Sequence, residues 1–122
     1  MPERVRALRG AITLDQDTRE QVLDRSRTVL TEMMKRNGIR KEDVISVVLT
    51  ATEDIRSEFP AAAGRLIGLG DVPLLCAREI AVEGGMPLCI RVLMHFYSDR
   101  PANELRHVFL ERASSLPTDL PR

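Results

Sequence analysis

The chain has 122 residues, 43% of them hydrophobic, which is enough for one domain with one core and typical of a globular protein. Its 18 basic and 18 acidic residues balance, and it has no Trp, one Tyr and three Phe, so neither a nucleic-acid-binding surface nor attraction to a membrane is expected. No apolar run approaches the roughly 18 residues that span a bilayer, and the N-terminal MPERVRALRG lacks the apolar segment of a secretory signal, so we expect a cytoplasmic protein.

The chain begins with a predicted strand and a long predicted helix. Residues 5–13 are apolar and β-branched, which favours a strand. Thr18 followed by Gln21 has the form of a capping box, and apolar residues then recur at helical spacing as far as Asn37-Gly38, a typical C-terminal stop. The pattern predicts an amphipathic helix over residues 18–37.

The middle of the chain predicts one central strand and one short helix. Residues 42–54 are apolar and β-branched throughout, as in a strand buried on both faces. In residues 58–70, Pro60 stands where a short helix can begin, and Gly68 and Gly70 stand where it can end.

Two further apolar stretches, residues 72–82 and 88–98, predict strands. They are separated by Glu83-Gly84-Gly85, which is turn chemistry, so the pair is predicted to form a hairpin.

The C-terminal part gives weaker signals. Residues 99–105 predict a turn or a single helical turn. In residues 106–116 the apolar residues Val108 and Leu110 are two positions apart, which favours a strand. The spacing of Leu105, Val108 and Phe109 would also suit a helix. The polar, proline-rich end, 116–122, is predicted to be a mobile tail.

These elements predict a single α+β domain over residues 1–122, with a mixed sheet of about five strands, one long helix and short helical turns. So little helix cannot cover both faces of such a sheet. A second copy of the chain is the simplest cover for the remaining face, so we expect a homo-oligomer.

Three ionisable residues interrupt the strand patterns: Arg9, Glu79 and Arg91. Arg9 is compatible with an exposed position on an edge strand, and Glu79 with a solvated strand end. Arg91 has apolar neighbours on both sides, and an unpaired buried guanidinium is costly. The purely structural interpretation is an ion pair between Glu79 and Arg91 across the hairpin. The functional one is a site for a small carboxylated anion, which arginines bind by bidentate, charge-assisted hydrogen bonds.

Other chemistries find little support. The two cysteines, Cys76 and Cys89, lie in strand-like contexts and favour two thiols over a disulfide. With His95 and His107 they show no metal-ligand spacing, and no nucleophile–base constellation or dinucleotide-binding loop is recognisable. Cys76 and Glu79 are three residues apart, so on a regular strand they face opposite sides. If both serve one kind of pocket, a bulge or a pocket between subunits is required.

Several segments, in order and from about residue 5 to residue 120, together resemble one family, the monofunctional AroH-type chorismate mutases. They are LRGAIT, TATEDIRSEFPAAAGR (50–65), VPLLCAREI (72–80), GGMPLCIRVL (84–93), RHVFLERA (106–113) and LPTDL (116–120). The resemblance implies a pseudo-α/β-barrel homotrimer with active sites between subunits. It implies an isomerase that converts chorismate to prephenate, in the shikimate route to phenylalanine and tyrosine, without a cofactor or metal. It also supports a strand at 106–113.

The resemblance implies roles for individual residues. Arg9 matches an arginine that holds a substrate carboxylate, Glu79 the carboxylate that binds the ring hydroxyl, and Arg91 the cation placed against the ether oxygen of the breaking bond. Further residues match positions of the pocket wall and its rim: Phe59, Ala61, Arg65, Leu74, Leu75 and Cys76.

Two positions depart from the family pattern. Phe109 stands where the family often has a Tyr that also contacts the ligand, and Pro117-Thr118 stands where an Arg commonly precedes PDL. We expect activity to survive with a higher KM. Two other functions remain open, a non-catalytic anion-binding regulatory module on the same scaffold and an imine hydrolase resembling the RidA proteins.

Overall fold

The computed structural model describes residues 3–122, which form one five-stranded mixed sheet and two α-helices. The strands are β1 (Arg4–Thr13), β2 (Val44–Ala51), β3 (Leu74–Arg78), β4 (Cys89–Ser98) and β5 (Val108–Phe109), and the helices are α1 (Arg19–Asn37) and α2 (Ala61–Leu66). Single 3-10 turns cover Lys41–Asp43, Ala102–Glu104 and Glu111–Ser115. The predicted α+β class is confirmed. No helix in residues 3–122 is long and apolar enough to cross a membrane.

The strand order is β3-β2-β4-β1-β5. β4 is the central strand and pairs antiparallel with β1 and β2, while β2 pairs parallel with β3 and β1 pairs parallel with β5. The central position predicted for 42–54 is therefore nearly right, because β2 is internal and next to the middle strand.

The predicted hairpin between 72–82 and 88–98 is wrong. β2 lies between β3 and β4, so these two strands do not pair. The strand is also shorter than predicted, because Ile80 and Val82 beyond Arg78 are 87% and 67% exposed. The turn at Gly84-Gly85 is present but does not join two paired strands. Its hydrogen bond runs from the Gly85 N–H to the Val82 carbonyl, at 3.0 Å.

Helix α1 follows its sequence signals closely. The Thr18 hydroxyl accepts the N–H of Gln21 at 3.1 Å, and Gly38 adopts φ +61° as the C-cap. The Gln21 side chain does not complete a capping box with Thr18. It accepts instead from the N–H groups of Asp15 and Gln16, at 2.8 and 3.1 Å.

Helix α1 covers one face of the sheet and forms the hydrophobic core with it. Val22, Val29, Leu30 and Met33 are fully buried against alternate residues of β1, β2 and β4. The contact between α1 and β1 is close at Gly10, where an added Cβ would collide with the sulfur of Met33. The opposite face of the sheet, here called the open face, carries the intervening residues.

The chain end is only partly strand-like. The predicted strand at 106–113 is confirmed for Val108–Phe109, but a 3-10 turn begins at Glu111, whose φ is +55°. A non-glycine residue with that φ interrupts a strand. The remaining segment folds back, and Pro121 accepts a hydrogen bond from the N–H of His107 at 2.8 Å.

Candidate active site

The centre of the candidate site is an ion pair spanning three strands. Arg91 is opposite Thr50 in the β2–β4 ladder, and Thr50 is opposite Ala77 of β3, two residues before Glu79. The Arg91 Nε lies 3.5 Å from the Glu79 Oε1, and the Thr50 hydroxyl donates to the other oxygen of Glu79. The pair that the sequence predicted is therefore present, but it forms across β2 and not across a hairpin.

The ion pair is partly withdrawn from water. The side chains of Arg91 and Glu79 are 33% and 22% exposed, and within residues 3–122 the shielded Arg91 Nε is in ion-pair contact with Glu79 but makes no hydrogen bond. A charge held at this depth is stabilised by its partner and keeps N–H groups directed at a neighbouring cavity. The sequence did not identify Thr50, because a threonine in a strand is usually a packing residue.

Arg9 shares this cavity with the pair. Arg9 is opposite Leu93 in the β1–β4 ladder, which puts its side chain on the open face with that of Arg91. The cavity has a volume of about 300 Å³ and is lined by Arg9, Val48, Thr50, Glu79, Arg91, Val92 and Leu93. The structure thus brings together the three charged residues predicted from the sequence.

The Phe109 ring flanks the Arg9 guanidinium. Phe109 packs beside Ala11 and Cys89 and is only 8% exposed. The guanidinium carbon of Arg9 lies 5.8 Å from the ring centroid, and that of Arg122 lies 4.9 Å from it. Both distances suit cation–π contact. Sequence reasoning missed Arg122, since the chain end was expected to be a mobile tail.

The Arg122 side chain also ties the chain end to the preceding turn. Its guanidinium donates to the Ser114 carbonyl at 2.7 Å and to the Leu116 carbonyl. The mobility predicted for 116–122 stays a prediction.

His107 contacts the backbone of one of the charged site residues. Its Nδ1 accepts the backbone N–H of Arg9 at 2.9 Å, and the residue is 7% exposed. Burial, with the nearby charge of Arg9, lowers the pKa of His107 below its usual value. No local sequence signal marks this contact, because the two residues are distant in the chain.

The predicted wall residues line a second cavity, at the edge of the sheet. It has a volume of about 510 Å³ and is lined by Glu58, Phe59, Ala61, Ala62, Arg65, Leu74, Leu75 and Cys76. The Cys76 sulfur accepts the N–H of Ala61 at 3.4 Å, so it points toward α2 and away from Glu79, as strand alternation predicts. Phe59 is 70% exposed at the rim.

The candidate residues of one chain therefore form two separate groups. The charged group, Arg9, Glu79 and Arg91, lies on the open face, and the wall group, Phe59, Ala61, Arg65, Leu74, Leu75 and Cys76, surrounds the cavity beside α2. The lining residues given above for the two cavities do not overlap within the described chain.

The thiols do not provide an obvious nucleophile. In the described part of the chain both cysteines are free, and burial raises the pKa of the Cys89 thiol. No group of three or more His, Cys, Asp or Glu side chains within residues 3–122 is arranged to hold a metal ion. The arrangement is suited to binding an anion and to stabilising negative charge next to Arg91.

Comparisons with known proteins agree on one family. The family described as chorismate mutase type I matches residues 5–120. Over 117 residues the chain is 46% identical to the chorismate mutase AroH of Thermus thermophilus and 40% identical to that of Bacillus subtilis (strain 168). These alignments cover 95% of this chain and 96% and 92% of the respective relatives.

A solved structure gives the same result for the fold. A chorismate mutase from Clostridium thermocellum superimposes with a TM-score of 0.90 at 37% sequence identity, covering 91% of this chain and 99% of the other.

Proposed function

Because this chain belongs to the type I chorismate mutases and is thus an isomerase acting on chorismate, we propose that it forms prephenate in a site shared by neighbouring subunits of a homotrimer. The reaction is an intramolecular [3,3] rearrangement in which one C–O bond breaks and one C–C bond forms. It transfers no proton and needs no covalent intermediate, cofactor or metal. The product serves phenylalanine and tyrosine synthesis, and we propose a cytoplasmic location.

One observation carries the mechanism: the Arg91 guanidinium is fixed beside Glu79 with its Nε shielded from solvent. As the C–O bond breaks ahead of C–C formation, negative charge grows on the ether oxygen. A cation already in position meets that charge without reorganisation, and only interactions that strengthen in the transition state accelerate the step. By analogy with one oxyanion-hole donor, the contact contributes roughly 3 to 4 kcal/mol.

The other charged residues select and orient the substrate. Arg9, on the same cavity, binds a carboxylate. One oxygen of the Glu79 carboxylate accepts a hydrogen bond from the ring hydroxyl of the substrate. Thr50 and Arg91 hold that carboxylate in place. Fixing a carboxylate and the hydroxyl favours the compact conformer in which the two carbons that bond lie close together.

The separation of the two residue groups supports a site between subunits. The wall group of one copy completes the charged cavity of the next, which reconciles the opposite directions of Cys76 and Glu79. The open face also carries partly exposed apolar residues, Val5, Leu93 and Tyr97 among them, that a neighbouring copy would cover. Sedimentation should give a mass of about 41 kDa, three times the 13.7 kDa of one chain.

The activity is tested by adding purified protein to chorismate and following the loss of its ultraviolet absorbance, with prephenate identified by chromatography. We expect turnover without any added cofactor. Saturable binding without turnover would favour the regulatory module, and an intact trimer that neither binds nor converts chorismate would overturn the proposal.

Mixed trimers test whether subunits share the site. Arg91→Ala inactivates the charged group, and Ala61→Asp puts a carboxylate into the wall group, facing an anionic substrate. If the groups come from different chains, refolding the two variants together in equal amounts restores roughly a quarter of wild-type activity. If each site is built within one chain, the mixture stays as inactive as the separate variants.

A further inference from the structure

We propose that His107 is a positioning residue for Arg9: its imidazole fixes the backbone from which the carboxylate-binding guanidinium extends, and it links that backbone to the chain end. The inference rests on the proposed function, since it concerns the substrate contact of Arg9.

The geometry around His107 makes it a connector between two segments. Its Nδ1 accepts the N–H of Arg9 at 2.9 Å, and its own backbone N–H donates to the Pro121 carbonyl at 2.8 Å. Pairing between β1 and β5 begins at Gly10 opposite Val108, one residue further along each strand. The imidazole thus takes the place of a backbone acceptor at the position where the ladder ends.

This bond matters for Arg9 because it supports the outer side of β1. On the inner side, Arg9 lies opposite Leu93 of β4, but its own N–H points away from β4 to His107, so the neighbouring residues of β1 make the bonds to β4. On the outer side, β5 provides only two residues, and the His107 imidazole is the support at Arg9 itself. A bond to the main-chain N–H limits rotation of the strand, and so limits how far the guanidinium moves relative to Arg91.

The arrangement requires a neutral imidazole. Nδ1 can accept a hydrogen bond only when the proton is on Nε2, and protonation converts it to a donor facing another donor. Burial and the charge of Arg9 both disfavour the protonated form. Of the segments bonded to His107, β1 carries the charged Arg9 and the chain end carries Asp119 and Arg122, while Arg106 is next in sequence. Helix α1 contributes the uncharged Asn37, which bonds the backbone of Arg106.

Two substitutions separate positioning from simple packing. His107→Asn keeps an acceptor oxygen near the place of Nδ1 and does not titrate, whereas His107→Leu fills similar space without an acceptor. We expect His107→Leu to raise KM about five- to tenfold with kcat within about twofold of wild type, and His107→Asn to restore KM to within about threefold. A residue needed only for packing would be replaced better by leucine than by asparagine.

The pH dependence gives a second readout. The pKa of His107 is lowered by burial, so for the wild type KM should rise only at a pH below the ordinary histidine pKa of 6.5, while for His107→Asn it should stay flat. Parallel pH curves for the two proteins, equal KM values for wild type and His107→Leu, or equal impairment of both variants would each overturn the inference.

Hydrogen exchange at the Arg9 amide tests the same contact without any activity. We expect the amide to be protected in the wild type and in His107→Asn, and to exchange faster in His107→Leu. Equal protection in all three proteins would overturn the positioning role even if chorismate were turned over. Absence of turnover with the expected exchange pattern would instead count against the proposed function.

Discussion

Arg91 and Glu79 come from segments that are not neighbours in the sheet, and their charged groups meet over Thr50 of the intervening strand, 3.5 Å apart. Thr50 also donates its hydroxyl proton to Glu79. Because β2 is hydrogen-bonded on both sides, the positions of the two ions are set by two strand ladders and not by a flexible turn. This accounts for a partly buried guanidinium that is paired with a carboxylate and also lines a cavity.

Replacing Arg91 should abolish most of the activity while leaving the fold intact. Arg91→Ala should lower kcat by at least about 10²-fold, because the developing charge on the ether oxygen loses its cation. Arg91→Lys should recover only part of this, since a point charge on a flexible stem lacks the planar fork of arginine. Steady-state kinetics and thermal unfolding measure the two effects.

The matched control for Arg91 is Arg36→Ala. Arg36 forms an ion pair with Glu32 on the surface of α1, at 2.9 Å, far from the cavity in sequence and on the helix that covers the other face. It should leave kcat unchanged. A near-normal kcat for Arg91→Ala would contradict the assigned role.

Thr50→Val tests the hydroxyl that holds Glu79. Valine has nearly the same shape, so folding should be retained, but the carboxylate loses one donor and becomes less well fixed. We expect kcat/KM to fall roughly five- to tenfold, which corresponds to about 1 to 1.4 kcal/mol, the contribution of one ordinary hydrogen bond. Thr28→Val, which removes only a hydroxyl bonded to the Asp24 carbonyl on the α1 surface, is the control. Equal kinetics for both variants would show that Thr50 does not position Glu79.

Phe109→Tyr tests the departure from the family pattern. The ring is packed beside Ala11 and close to the Arg9 guanidinium, so an added hydroxyl should reach the substrate side of the cavity. We expect an equal or lower KM, with kcat little changed, in steady-state assays. A higher KM would mean that the pocket around this ring is arranged differently from that of the family.

Asp17→Asn tests the attachment of the segment that carries Phe59. The Asp17 carboxylate accepts from the N–H groups of Arg56 and Ser57, at 2.9 and 3.2 Å, and from the Ser57 hydroxyl at 2.7 Å. The hydroxyl bond is the main reason that the pKa of Asp17 is lowered. We expect Asp17→Asn to reduce stability by about 1 kcal/mol near neutral pH.

The pH dependence of that loss has a definite sign. A carboxyl group whose pKa is lower in the folded state stabilises the protein fully above its unfolded pKa, about 3.9, and the contribution disappears as the pH falls through the folded value. The difference in thermal midpoint between wild type and Asp17→Asn should therefore shrink below about pH 4. Asp24→Asn, at an exposed position of α1, is the control. A difference that grows in acid would contradict this account.

Much of the local structure was predictable because its signals are close together in the chain. The N-cap of α1 depends on Thr18 and Gln21, its end on Gly38, and the α2 start on Pro60, each within a few residues of the element it bounds. Strand alternation similarly predicted that Cys76 and Glu79 point in different directions. These preferences act over one helical turn or two strand residues, so they are present in any fold that the chain adopts.

The failures concern partners that are distant in sequence. The hairpin was predicted because 72–82 and 88–98 are close in the chain, whereas β3 pairs with β2 through the α2 connection, and Ile80 and Val82 remain exposed. The contact between His107 and Arg9 was not predicted, because the two residues are 98 positions apart in the chain.

The amino-acid sequence alone determined the α+β class, the positions of most helices and strands, and the identity of the three charged residues, because short-range backbone preferences and the occurrence of charges in apolar strands can be read locally. Only the tertiary structure decided which strands pair, that Thr50 lies between Arg91 and Glu79, and that His107 supports Arg9. Strand pairing depends on loop closure and on burial summed over the whole chain, so no short segment contains the information that selects the partner.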